Sequence, residues 1–194
     1  MYGRILPNEL AEEGPFVDLT GTWDIVRQQP VVEIDELYFR EKPIWQVILP
    51  AGIEHRILMG LPQEPRIFRI VKNSVPTIKR VVLTEGGCGW LHAVISIKKV
   101  SEGDGKLAGL AALAAHPSLK RVIVVDDDID VTNPTEVEWA LATRLDPSKG
   151  IIIVPGVRGS TLDPSAGKKG VSAKWIIDAT IPLTREKKDF ERAY

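Results

Sequence analysis

One cysteine, Cys88, occurs in 194 residues. A single thiol excludes an internal disulfide and fits a reducing compartment, so the expected location is cytoplasmic. Long apolar runs are missing as well. Val122–Val125 and Ile151–Val154 are clear apolar stretches, yet a membrane helix needs about 20 such residues. No signal-peptide pattern opens the chain, and no membrane span is expected. Charge of one sign is absent too: 25 Lys and Arg against 26 Asp and Glu leave a formal net charge of −1. That balance gives no footprint for nucleic acid or an anionic membrane. What remains is 44% apolar and 26% charged, a composition that packs a core rather than staying disordered. The length suits one medium domain, or one domain plus a fragment.

The strongest local pattern lies between Lys120 and Pro147. Val122 to Val125 is apolar without alternation, as in a strand buried on both faces. It stops at Asp126, Asp127, Asp128 and Asp130. A helix is then predicted, with Asn133 as N-cap, Pro134 in the first position and Glu136 completing a capping box. Val137, Ala140, Leu141 and Leu145 recur at helical spacing and would lay it on the sheet. Asp146-Pro147 ends the helix, and Ile151–Val154 is expected as the next buried strand of a β-α-β unit. Ligands gather at the carboxyl end of such strands.

Elsewhere the chain alternates short signals. Glu12 to Gly21 is an acidic turn in which Glu13 and Asp18 flank Gly14-Pro15. One of these residues bends the backbone and the other stiffens it, so the loop either aims both carboxylates into one pocket or is a solvated turn. Residues 30–49 carry two strand-like runs split at Arg40–Pro43, with Val32, Ile34, Leu37, Ile44, Val47 and Leu49 expected inside. Ile53–Leu61 is predicted as a short helix whose His55 is a surface residue, a ligand or a base. Leu61–Pro65 is expected as a linker, and Arg66–Val71, Ile78–Thr84 and Trp90–Lys98 as strands. Glu85–Gly89 lacks the dinucleotide-binding spacing, and Cys88 reads as a turn residue. Lys106–Ala115 is a helix apolar all round, expected between layers. Pro155–Gly170 is expected as a long loop and Val171–Ile177 as the last strand.

The acidic run has two readings. A strand ending in D-x-D holds a divalent cation in many nucleotide-sugar transferases, since carboxylate oxygens suit Mg²⁺ or Mn²⁺. Equally, it is a solvated strand end favoured by the dipole of the helix after it.

EGPFVDLTG at 13–21, RVIVVDDDIDV at 121–131, EVEWALATR at 136–144, LDPS at 162–165 and AKWIIDAT at 173–180 together resemble the C-terminal part of the UbiD-type carboxy-lyases. Any one is weak; their order and spacing across the chain are specific. The resemblance implies an α/β fold: a mixed sheet with flanking helices, preceded by remnant strands of a split β-barrel. The expected divisions are 1–49 (barrel remnant and acidic loop), 50–65 (linker and short helix), 66–180 (α/β domain) and 181–194 (charged tail). Met1–Leu6 would be the last strand of a barrel otherwise outside this chain.

The resemblance also implies chemistry: decarboxylation of a small aromatic or α,β-unsaturated acid with prenylated FMN and a divalent metal (Mn). The catalytic carboxylates would be Glu13, partner of an arginine beside the flavin, and Asp18, the proton donor. The family usually has Glu at the second position, and Asp draws that acid back by about one carbon–carbon bond, a displacement that can cost ~10²-fold in rate. The flavin-holding residues and the arginine lie upstream of the loop in the family, so an N-terminal flavin-binding partner chain is expected, and the isolated chain is expected to be inactive. The tail Thr184–Tyr194, poor in apolar residues, is expected to pack on a neighbour in a homo-oligomer. The alternatives are a non-catalytic oligomerisation or regulatory module and a D-x-D glycosyltransferase-like domain.

Overall fold

The computed structural model describes residues 1–167, 170–190, 192 and 193. The chain divides into two units, Met1–His55 and Arg56–Tyr194. In the first, strands β1 (Tyr2–Glu13) and β2 (Arg27–Glu36) form a two-stranded antiparallel sheet. Within the expected strand Met1–Leu6, residues Tyr2–Ile5 therefore pair within the chain, Ile5 opposite Val32. The second run expected in 30–49 is not a strand: residues 44–49 lie between Pro43 and Pro50 and pair with nothing among the described residues. The six apolar residues expected inside are 48–84% exposed. A two-stranded ribbon has no second layer to cover its face.

Helix α1 (Ile53–Gly60) spans the division between the units. His55 accepts the Ala51 N–H through Nδ1 at 3.2 Å at the start of this helix. The expected linker and strand at 61–71 are instead helix α2 (Gln63–Ser74). Pro65 falls in the first turn, where a missing N–H costs nothing. Ile67 and Val71, four apart, are both fully buried while Arg69 between them is exposed, a pattern that fits a helix, since a strand would put all three on one face.

A five-stranded sheet follows, in the order β3 (Ile78–Leu83), β4 (His92–Ile97), β5 (Arg121–Asp126), β7 (Val171–Asp178), β6 (Ile151–Arg158). The three central strands are parallel and both edges antiparallel. Along β5 the side chains alternate between two cores: Val122 and Val124 face one cluster, Ile123 and Val125 the other. The first cluster is covered by α2 and by α3 (Asp104–Ala115), the second by α4 (Pro134–Arg144). Ile151–Val154 is thus no buried parallel neighbour of β5. It is an edge strand with alternating exposure, antiparallel to β7, which is what pairs with β5.

Helix α3 lies close to β7. A Cβ added at Gly109 would stand 2.4 Å from Ile176 Cγ2. Its outer side, however, is not buried: Leu107 and Leu110 are each 45% exposed. Helix α4 starts as predicted at Asn133, whose side chain accepts the Thr135 N–H. Glu136 does not close a capping box; it accepts the Asp130 N–H at 2.9 Å and so secures the turn before the helix. Asp146 caps a further short helix, α5 (Pro147–Gly150).

The loop expected over 155–170 is shorter, because β6 continues to Arg158 past a bulge at Gly156 (φ +66°). Lys168 and Lys169 of that loop lie outside the described residues. The tail forms a 3₁₀ turn at Lys187–Phe190. It finds partners on its own unit: Arg192 stacks over Trp139 (4.5 Å) and stands 3.6 Å from Glu136, and Lys187 reaches 3.9 Å from Asp128.

Candidate functional site: the acidic hairpin and the acidic strand end

The β1–β2 ladder runs Leu10 opposite Pro30 through Glu13 opposite Arg27. The same register continues into the loop. The Asp24 N–H donates to Phe16 O (2.9 Å), Val17 bridges Trp23, and the Asp18 N–H donates to Thr22 O (3.1 Å). The acidic loop is therefore a hairpin tip. A regular strand would send residues five apart to opposite faces; Gly14 (φ +95°) and Pro15 interrupt it between the two carboxylates.

Both carboxylates act on one cation, Arg27. Its guanidinium pKa is raised, first by the hydrogen bond to Asp24 and then by the negative charges of Asp24, Asp18 and Glu13, against the loss of solvation. Asp24 is the anchor. Its side chain is 4% exposed, pairs with Arg27 and accepts the Ile25 N–H at 2.9 Å. The Arg27 hydrogen bond holds its carboxyl below the usual range. Asp18 is fixed from one side, since its Oδ1 accepts the Leu19 N–H at 2.5 Å and Leu19 is fully buried. Glu13 is exposed. Sequence reasoning missed Asp24 and Arg27, although counting outward from a turn centred on Thr20 would have set Arg27 across from Glu13.

The second acidic cluster is closed. Arg144, in the last turn of α4 with a side chain 1% exposed, donates to Asp126 Oδ2 (3.0 Å) and to both oxygens of Asp128 (2.8 and 2.9 Å). Asp126 also accepts the Ile181 N–H (2.9 Å), and Asp130 accepts the N–H and hydroxyl of Thr132. Burial pushes the Asp126 carboxyl up, whereas the Arg144 hydrogen bond holds Asp128 down. With Arg144 seated between them, the acids of the D-x-D sequence face a cation of the chain itself. Among the described residues no group of three His, Cys, Asp or Glu side chains could hold a metal ion.

The model of the 3-octaprenyl-4-hydroxybenzoate carboxy-lyase C-terminal domain matches residues 56–179, and that of the Rift-related domain of the same enzyme matches residues 1–53. The chain belongs to the UbiD carboxy-lyase family. Its α/β unit and small antiparallel sheet are those of a UbiD-family decarboxylase domain. Anhydromevalonate phosphate decarboxylase of Methanocaldococcus jannaschii is 58% identical over 192 residues, which is 98% of this chain and 45% of the relative. Phenolic acid decarboxylase of Bacillus subtilis is 31% identical, over 96% of this chain and 40% of the relative. Among solved structures, the UbiD-class enzyme HmfF from Pelotomaculum thermopropionicum in complex with FMN superposes with a TM-score of 0.94 at 42% identity. It covers 99% of this chain and 43% of that one. This chain thus spans somewhat under half the length of the relatives it matches.

UbiD-class neighbours hold FMN or prenylated FMN. The donor set of the hairpin, two carboxylates and a guanidinium, fits the acid–base part of a flavin-dependent decarboxylation. The divalent metal implied by the resemblance finds no ligand set among the described residues. No described helix is long and apolar enough to cross a membrane.

Proposed function

We propose that this chain provides the proton-handling carboxylates for flavin-dependent decarboxylation of a phosphorylated, unsaturated acid of the anhydromevalonate phosphate kind. The observation that supports the reading is the hairpin, in which Glu13 stands across the ladder from Arg27 and Asp18 lies at the tip. The substrate class rests on the 58% identity to enzymes named for that acid. Loss of CO₂ leaves an electron pair on carbon, and bound prenylated FMN supplies the electron sink for it. The chain's own part is the proton. Asp18 Oδ1 is engaged by the Leu19 N–H, so Oδ2 carries the proton that goes to the carbon CO₂ has left; water then reprotonates the carboxylate. Glu13 orients a cation at the site.

A flavin-binding half completes the enzyme in this proposal; the vanillic acid decarboxylase ShVdcCD of Sedimentibacter hydroxybenzoicus is a member of the class with more than one kind of chain. Self-association through the tail is also proposed; light scattering giving the same monomeric mass with and without residues 183–194 would count against it. The central experiment joins the 194-residue chain to a complementary flavin-binding half loaded with prenylated FMN. CO₂ release from anhydromevalonate phosphate is expected, with none from the chain alone, and Asp18→Asn should abolish it. A flavin-loaded pair indifferent to Asp18→Asn, or one acting only on phenolic acids, overturns the proposal.

A further inference from the structure

The amino-end rim of the parallel sheet carries a cation with no counter-ion among the described residues. His92, Arg121 and Trp175 stand side by side across β4, β5 and β7. Two residues further along, Val94, Ile123 and Ile177 form the next row on the same face, inside the core beneath α4. Alternation along each strand therefore places the Arg121 side chain at the edge of that core. It is half-buried, with its guanidinium 5.7 Å from the centre of the Trp175 ring. Among the described residues it donates to no acceptor and forms no ion pair, and its Nε–H is buried. Burial lowers its pKa, opposed by the charge of Glu138. A charge drawn out of water without a partner is costly. The buried cation at the other end of β5, Arg144, has two carboxylates to offset that cost.

The surroundings select the sign and shape of what fits. Lys120, next in sequence, pairs with Asp163 (3.0 Å) and hydrogen-bonds Ser165, which brings that loop beside the rim. The positive charge is felt at His92, whose pKa is lowered to about 4, first by desolvation and then by Arg121 and Lys120, against the attraction of Asp163. Neutral His92 still has one ring N–H to donate. Two cations against one carboxylate leave an excess of positive charge, and a guanidinium beside an indole offers its N–H fork to two oxygens of one oxyanion. We infer that Arg121, with Lys120 beside it on the amino-end rim of the sheet, binds a phosphate group, free or carried by a small molecule. Phosphate is favoured over carboxylate because its larger charge suits two adjacent cations. The inference does not depend on the roles of Glu13 and Asp18.

The test titrates the ¹⁵N-labelled 194-residue chain with inorganic phosphate at constant ionic strength, followed by NMR. A saturable shift is expected at the Arg121 Nε–H and at the amides of His92, Arg121 and Trp175. Arg121→Met should weaken binding about tenfold or more, and Arg121→Lys, which keeps the charge without the fork, by less. Acetate, with one charge, is expected to bind severalfold more weakly than phosphate. Shifts scattered over surface lysines and unchanged by Arg121→Met would mean an adventitious ion only and overturn the inference, as would acetate binding as tightly as phosphate. If Arg121→Met does not fold, Arg121→Gln is read the same way. In the flavin-loaded enzyme, steady-state kinetics with anhydromevalonate phosphate separate the two sources of the group. A KM raised about tenfold by Arg121→Met with kcat held assigns the site to the substrate's own phosphate. An unchanged KM, with the chain still binding phosphate through Arg121, assigns it to free phosphate or another ester. The titration needs no turnover, so its failure and that of the decarboxylase reading are seen separately.

Discussion

Replacing Arg144 by Met should be the most damaging single change in the α/β unit. The substitution keeps an apolar stem but deletes the cation between Asp126 and Asp128, whose side chains are 11% and 31% exposed. Two carboxylates then face each other with little water to screen them. Removing one partner of a buried ion pair typically costs ~3–5 kcal/mol, because the charge left behind has no compensation. In a unit of about 140 residues each kcal/mol lowers Tm by roughly 3 °C, so a fall of ~10–15 °C is expected at pH 7.5. The deficit should shrink at pH 5, where repulsion lets one carboxyl take up a proton. Adding Asp126→Asn and Asp128→Asn to Arg144→Met should recover more than half of the loss, since neutral amides need no counter-ion. Differential scanning calorimetry on the single and triple variants decides the matter. A fall below about 3 °C for Arg144→Met, or a triple variant no more stable than the single, would refute the claim that this acidic strand end is a self-contained ion cluster.

Two further outcomes follow from burial. His92 and His116 both have pKa values lowered to about 4, chiefly by desolvation. The unfolded chain takes up protons first as pH falls through about 6.5. Stability is therefore complete above that pH and lost progressively toward 4; thermal melts should show this decline, and His116→Phe should flatten part of it. Equal slopes for wild type and variant would show that His116 does not titrate in this window. Gly109→Ala inverts the usual helix rule. Ala is intrinsically better in a helix by about 1 kcal/mol, but its Cβ would stand 2.4 Å from Ile176 Cγ2, and overpacking costs ~1–3 kcal/mol. Denaturant unfolding should show a lower midpoint, and a raised one would mean that α3 can lift off β7 freely.

The sequence by itself determined those features whose cause is local. The unbroken apolar run of Val122–Val125 required a strand covered on both faces, and two separate cores cover it. Asn133-Pro134 required a helix start, because an Asn side chain and a missing proline N–H both suit the first turn. The glycine loop around Cys88 required a turn. The spaced motifs from Glu13 to Thr180, taken together, carried the family. Only tertiary structure decided the rest, because there the cause lies in residues distant along the chain. Arg66–Val71 has both strand-forming residues and helical spacing; packing of Ile67 and Val71 on the sheet decided for a helix. The order β5-β7-β6 was out of reach because strand neighbours are chosen by the path of the connecting loops, and a short apolar run looks alike at an edge and in the middle. The four acids after β5 had the same local pattern for an open metal site and for an ion cluster. What separated them was Arg144, 16 to 18 residues away on α4, delivered to the strand end by the packing of that helix. Arg27 is the same case in the hairpin: 14 residues from Glu13 in sequence, it becomes its neighbour only when the ladder closes.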